Sequence, residues 1–352
     1  FSGVGVNKKN DLDFFIIFEN KNYSHTPYIN LFWITRNKTL SSLYTLSTGE
    51  QDDNYTITDR ILFNLFSLDI GTRFYINSHL ESIPGKHKIW LNYQFNNYRE
   101  TVDQTQYQFN EFNDEFDYLN GDISFDYYRS HIFSIKYEYS KKKNKYMKNM
   151  LPYKGYDFDL KLSYELNDFI NGFGVYEDSG TWGANLDPNN TIRIETQFNK
   201  YWFLESQKTS VSSHTTLGYL SEENIDDFFY FFGGGLPGLK GYTYYNSDLI
   251  GSRKIIQSLH VRRPLFMEQN ISTFPFIFKH CTIGFILQAG NVFTGDINKI
   301  KTNDFKLSSG IEIRLFGHNF YSYPLAVTYE YHIPHSNNGD EGKHYLKILF
   351  DF

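Results

Sequence analysis

The chain has 352 residues, and its formal net charge of −6 comes with no cationic footprint for nucleic acid; the one basic triplet, Lys141-Lys142-Lys143, reads as a solvated loop tip. No apolar run approaches the ~20 residues that a membrane-crossing helix needs, and mean hydropathy is −0.49. The single cysteine, Cys281, excludes an intrachain disulfide and a thiolate metal cluster, and is expected to be a small packing residue.

Aromatic content points the other way from mean hydropathy. Phe and Tyr number 34 and 29, and aromatic residues reach 19% of the chain. A soluble core draws more on Leu, Val and Ala, whereas an outer-membrane β-barrel needs aromatic girdles and shows a weak overall hydropathy signal, because half of every strand faces water. Alternation of period two then recurs along most of the chain. Strands are expected at 12–20, 28–37, 60–68, 72–78, 88–99, 119–129, 131–140 and 157–168, with 41–48 as a further candidate. They continue at 192–203, 212–221, 253–265, 281–293, 305–315, 325–333 and 344–352. The polar stretches 49–55, 102–108, 178–190 and 222–227 read as loops.

Within these strands one face is apolar and the other wet. Tyr156, Phe158, Leu160, Leu162, Tyr164 and Leu166 alternate with Asp157, Asp159, Lys161, Ser163 and Glu165. A soluble sandwich alternates too, so length and chemistry decide. All the expected strands but 72–78 and the candidate 41–48 run 9 to 13 residues, which exceeds the ~5–6 usual in soluble sheets and matches the ~9–11 that cross a bilayer. Fully charged residues on the wet face fit a water-filled interior.

The segment from Phe228 to Leu265 is the most unusual. Gly233, Gly234, Gly235, Gly238 and Gly241 crowd a loop that closes on Leu239-Lys240-Gly241-Tyr242, and a strand follows that ends in Arg262-Arg263-Pro264-Leu265. Such a loop folds tightly and approaches another surface closely. The parity of the last strands puts Lys254, Ser258, His260, Arg262, Gln288, Glu312, Arg314, Glu330 and His332 on one face, so a lumenal wall of Arg262, Gln288, Glu312, Arg314, Glu330 and His332 is expected to receive the loop.

The ordered motifs over roughly the last 120 residues resemble the BamA/TamA-type barrel superfamily of outer-membrane assembly and translocation proteins, also called bacterial surface antigens. Its loop motif, Val/Leu-Arg-Gly-Phe/Tyr, is matched by Leu239-Lys240-Gly241-Tyr242, and its Arg-x-Pro-Leu strand end by Arg262-Arg263-Pro264-Leu265. Its Phe-x-Asp-x-Gly-Asn strand corresponds to Ile286-Leu287-Gln288-Ala289-Gly290-Asn291, and its late strands to Gly310-Ile311-Glu312-Ile313-Arg314, Pro324-Leu325 and a terminal Phe352. Residues 1–220 match only as generic barrel strands.

The resemblance implies one transmembrane antiparallel β-barrel of about sixteen strands over residues 1–352, with the glycine-rich extracellular loop folded into the lumen. It implies an upstream periplasmic domain, a bacterial outer-membrane location, and contact with the lipid bilayer and with periplasmic or outer-membrane protein partners. The family's loop arginine and strand aspartate appear as Lys240 facing Gln288, a weaker contact without the planar guanidinium fork. Leu346, Ile348, Phe350 and Phe352 correspond to a C-terminal assembly signal. The implied function is protein insertion or translocation through a seam between first and last strands. The alternative is a non-insertase barrel that anchors, or forms a subunit of, a larger envelope complex. No catalytic site, cofactor or metal is expected. The chain lacks a Gly-x-Ser-x-Gly elbow and a His-Glu-x-x-His helix, Asp157 and Asp159 are expected to face water beside Lys161, and Ser212 with His214 lacks a positioned carboxylate.

Overall fold

The computed structural model describes residues 2–6, 12–20, 25–47, 52–78, 85–110, 115–146, 151–175, 182–273, 276–319, 323–335 and 341–350. The chain forms two compact units. Phe1–Phe74, Trp90–Ser134 and Tyr164–Thr191 make the first, and Tyr75–Ile89, Ile135–Ser163 and Ile192–Phe352 the second.

The all-β antiparallel class read from the alternation is the one the chain adopts. Strands β1 (Ser2–Val6), β2 (Leu12–Glu19), β3 (His25–Ser47), β4 (Asp52–Ser78), β5 (Gly85–Asn110) and β6 (Glu115–Ser140) open it. Short β7 (Lys143–Tyr146) and β9 (Trp182–Pro188) both pair with β8 (Leu151–Val175), which lies between β6 and β10 (Thr191–Leu204). Next come β11 (Thr209–Leu220), the two-residue β12 (Phe231–Phe232) and β13 (Ile250–Gly251), and then β14 (Arg253–Phe266), β15 (Ile271–Thr273) and β16 (Phe276–Phe293). The last are β17 (Lys306–Asn319), β18 (Pro324–His335) and β19 (Lys343–Phe350). All but β12 and β13 belong to one 17-stranded sheet. The described registers start at β1–β2 and end at β18–β19, and closure between those ends is not among them.

Several strands outrun the sequence expectation. β3, β4, β5, β6 and β8 run 23, 27, 26, 26 and 25 residues. The segments 28–37 and 41–47 are one strand, residue 48 lying outside the described residues, as are 60–68 with 72–78 and 119–129 with 131–140; the expected loop 102–108 is strand, and 182–188 within the expected loop 178–190 is β9. A hairpin whose backbone groups are paired tolerates polar residues on both faces in water, so polarity there did not signal a break.

Gly71 falls between the expected strands 60–68 and 72–78, yet it sits inside β4 opposite Tyr28 of β3. A Cβ built on it would lie 2.6 Å from both the Tyr28 hydroxyl and the Leu91 carbonyl oxygen. The missing side chain is the space that lets buried Tyr28 lie across the strand, with the Arg73 guanidinium 5.0 Å from its ring centroid and 3.9 Å from that of Trp90.

In the second unit the two faces of β14 to β19 differ sharply. Ile256, Ser258, His260 and Arg262 are buried, while Gln257, Leu259 and Arg263 between them are exposed. Likewise Ser308, Gly310 and Glu312 are buried between exposed Leu307, Ile311 and Ile313, and Thr328, Glu330 and His332 are buried beside exposed Tyr329 and Ile333. The buried face is therefore the polar one, the reverse of a soluble sheet packed on an apolar core.

Gly71→Val is expected to destabilise the folded chain by roughly 1–3 kcal/mol, because backbone on one side and a buried ring on the other leave the side chain no exit. The urea midpoint of the heat-modifiable band on a gel checks this; an unchanged midpoint would show that β3–β5 relax freely around the site.

Candidate functional site: a glycine-rich loop clasped by a polar wall

The segment between β11 and β14 folds on itself before it meets the sheet. The Gly233 N–H donates to the Leu249 carbonyl at 2.8 Å, the Leu239 N–H to Gly233 at 2.7 Å, and the Gly235 N–H to Tyr242 at 3.1 Å. Gly238 is required by proximity, since a Cβ there would stand 2.0 Å from the Gly233 carbonyl oxygen. Gly241 is required by conformation, with φ +99°. These constraints present Lys240 at the tip of a narrow turn, while Leu239, Tyr242 and Leu249 pack with Ile256 of β14 as a small buried apolar cluster.

Each tip residue then has a separate partner on the sheet. The Lys240 backbone N–H donates to Gln288 Oε1 at 3.0 Å, and Gln288 Nε2 donates to Ser258 Oγ at 2.8 Å. The Gly241 N–H donates to the Tyr345 hydroxyl at 3.1 Å, and the Tyr242 hydroxyl to the Leu307 carbonyl at 2.9 Å. The expected Lys240–Gln288 pairing is thus a backbone contact. A neutral amide cannot balance a buried cation, and the Lys240 ammonium goes instead to Glu330, whose carboxylate also binds Lys347 Nζ at 2.8 Å and His332 Nε2 at 3.1 Å.

A second carboxylate organises the neighbouring strands. Glu312 takes the Arg262 guanidinium on one oxygen and Arg314 Nε at 3.0 Å on the other. Arg262 also donates to Ser212 Oγ at 3.2 Å and meets His260 Nδ1 at 2.8 Å. Glu312 and Glu330 have no exposed surface at all, so each must be compensated by partners within the protein. Small neighbours make the room: a Cβ on Gly284 would lie 2.5 Å from Glu312 Oε1, and one on Gly310 2.5 Å from the His332 ring.

The wall residues Arg262, Gln288, Glu312, Arg314, Glu330 and His332 therefore lie on one face, all but Gln288 in two carboxylate-centred groups, and among the described hydrogen bonds it is Glu330 and Gln288 that hold Lys240. Tyr345 and Lys347 of β19 also bind the loop tip or its carboxylate. Their alternation with Leu346 and Ile348 already set them on the polar face, but nothing in the sequence said that the loop would reach so far. Leu346 and Ile348 are exposed, at 68% and 52%. The Phe350 side chain and Phe352, the rest of the expected C-terminal signal, lie outside the described residues.

Ser212, His214 and Asn199 form a hydrogen-bonded chain, Ser212 Oγ to His214 Nε2 at 3.0 Å and His214 Nδ1 to Asn199 Oδ1 at 2.7 Å. Asn199 stands directly opposite His214 in the β10–β11 register. Ser212 is fully buried and also receives Arg262, so the chain pairs buried polar groups with one another. Asp157, expected in water beside Lys161, is bound by Ser140 at 2.6 Å, Tyr201 at 3.1 Å and Lys142 at 3.4 Å.

No family model and no curated protein matches the chain. Among solved structures it is similar to the crystal structure of BamA from Haemophilus ducreyi lacking POTRA domains 1-3, with a TM-score of 0.38 and 13% identity, covering 99% of this chain and 74% of that one.

Glu330→Gln strands two cations at a buried position and is expected to cost about 3 kcal/mol, whereas Lys306→Gln, which breaks the more exposed pair with Asp248, should cost under about 1 kcal/mol. Urea midpoints give the comparison, and limited proteolysis should cut within 233–242 in Glu330→Gln and Lys240→Ala but not in the parent. Burial holds the Lys240 ammonium at about 8, below its usual 10.5, against the opposing pull of Glu330. An unfolded lysine keeps its proton through that window, so the unfolded chain binds more protons and this site's contribution to stability rises as pH climbs from about 8 toward 10.5. The slope should be shallower in Lys240→Met than in the parent.

Proposed function

We propose that the chain is an outer-membrane β-barrel in which the glycine-rich loop plugs the lumen, and that it acts in insertion or translocation of proteins at the seam between its first and last strands. The observation that carries the membrane reading is the inverted sheet of the second unit. Its exposed face carries Leu259, Ile283, Phe285, Leu287, Ile311, Ile313, Leu346 and Ile348, and its buried face carries two carboxylates with their cations. Lipid outside and a polar interior call for this arrangement, and water outside disfavours it. Among the described residues no helix is long and apolar enough to cross a membrane.

The insertion reading is supported by the loop and strand motifs, which occur in the family's order, and by the docking of Lys240 on the wall. The partners it calls for are the bilayer and client or accessory envelope proteins, and it assigns no catalytic step. One observation favours the second reading, a barrel that anchors or builds a larger envelope assembly: the loop tip is tied to β19 through Tyr345 directly and Lys347 by way of Glu330, contacts that hold the last strand in place.

A cysteine pair joining β1 to Leu346 separates the two. Cys281 is buried and stays out of the cross-link. In vesicles containing the full chain, oxidation should abolish assembly of a reporter outer-membrane protein and reduction should restore it. Undiminished assembly by the locked barrel would exclude the seam mechanism and leave the anchor reading, which expects near-stoichiometric partners on gentle purification.

A further inference from the structure

A cavity of about 370 Å³ lies in the second unit where the end of β6, the start of β8 and the end of β10 meet, lined by Lys141, Lys154, Gly155, Tyr156, Lys200 and Trp202 among others. Local geometry brings three lysines to the lining of one cavity. The Lys141 N–H donates to the Tyr156 carbonyl at 3.0 Å, and Gly155, with φ +128°, lets β8 begin so close to Lys141 that a Cβ would stand 2.0 Å from its carbonyl oxygen. Lys200 reaches in from β10, its ammonium 5.3 Å from the Tyr156 ring centroid.

The three lysines have no carboxylate partner among the described ion pairs. Asp157, next in sequence to Tyr156, is engaged by Ser140, Lys142 and Tyr201, and Tyr201, which also lines the cavity, turns its hydroxyl to that carboxylate. The cavity therefore concentrates positive charge beside aromatic surface, a combination that suits a phosphate joined to an apolar body.

Its height on the sheet says which phosphate. β11 runs from Thr209 to Leu220 and into the glycine-rich loop, and Lys200 pairs with Ser213. Seven residues at about 3.3 Å each set the cavity roughly 23 Å along the strand from the loop end, or about 16–19 Å along the membrane normal at the ~35–45° tilt of such barrels. Between them the same face shows exposed Phe198, Leu217, Ile192 and Tyr219. An apolar band ~25 Å tall separates the two membrane interfaces of an outer-membrane barrel, so the cavity lies in the half of the band away from the loop, where lysine stems reach the headgroups of the opposite leaflet beside outward-facing Trp202, 43% exposed.

We propose that Lys141, Lys154 and Lys200, with Tyr156 and Trp202, form a binding site for the phosphate of an anionic phospholipid in that leaflet. The inference rests on the membrane reading above and adds a ligand and a leaflet to it. Each lysine is expected to contribute about fivefold to the preference for an anionic over a zwitterionic lipid.

The test uses the full chain refolded into vesicles of phosphatidylcholine with one-fifth phosphatidylglycerol, then released in mild detergent for native mass spectrometry. Retention of phosphatidylglycerol over phosphatidylcholine is expected, with loss in Lys141→Gln/Lys154→Gln/Lys200→Gln and persistence in the charge-matched control Lys208→Gln/Lys279→Gln/Lys301→Gln. Equal retention of the two lipids, or equal loss in the control, overturns the site. Displacement by inorganic phosphate alone at low millimolar concentration would overturn the lipid assignment in favour of a free anion. Heat-modifiability and protease protection in the vesicles report insertion independently: a chain that does not insert overturns both readings, whereas one that inserts without lipid preference overturns only this one. If the triple variant does not fold, Lys154→Gln, whose side chain is exposed, decides by the same measurement.

Discussion

Everything distinctive about the second unit depends on burying two carboxylates that cannot be left alone. Glu312 and Glu330 sit on adjacent strands, directly opposite each other in the β17–β18 register, and both are sealed from water. Two like charges so placed repel unless cations come between or around them. The fold supplies Arg262 and Arg314 to one, and Lys240 and Lys347 to the other, with His332 Nε2 beside it at 3.1 Å. Strand residues alone complete the Glu312 group. The Glu330 group is completed only by a residue from a loop, so the resting position of that loop is written into the electrostatics of the wall.

This explains why the loop is so rich in glycine. An ammonium on a flexible stem could reach Glu330 from many backbone positions, but ordering a long loop for one contact would cost more conformational entropy than the contact returns. The tight turn around Gly233, Gly238 and Gly241 orders the loop against itself first. The cluster of Leu239, Tyr242, Leu249 and Ile256 then adds apolar burial, and Lys240 arrives as part of a preformed tip.

Much of this was legible in the sequence. Period-two alternation located the strands and set Arg262, Gln288, Glu312, Arg314, Glu330 and His332 on one face. What alternation cannot carry is register and reach. It could not say that Lys240 would hand Gln288 its backbone amide and keep its charge for Glu330, because that depends on which strands lie side by side at a given height. Nor could it say where strands end: Ser130 and Gly71 fall between expected strands, whereas Ser130 is buried inside β6 and receives the Asn96 side chain at 2.9 Å, and Gly71 is a slot for a tyrosine ring. A polar residue with a partner and a polar residue in a turn look the same until the partner is known.

The tie between the Gly241 amide and the Tyr345 hydroxyl has a mechanical meaning. Tyr345 belongs to β19, the last described strand, and its aromatic ring also leans on His332 at 5.8 Å. A load that draws β19 sideways must therefore stretch the loop tip and the Glu330 cluster at the same moment as the strand's own ladder with β18. The resistance is shared over groups distant in sequence and yields together, so the edge behaves as a latch with a threshold, stiff under small loads and abrupt once the tip lets go.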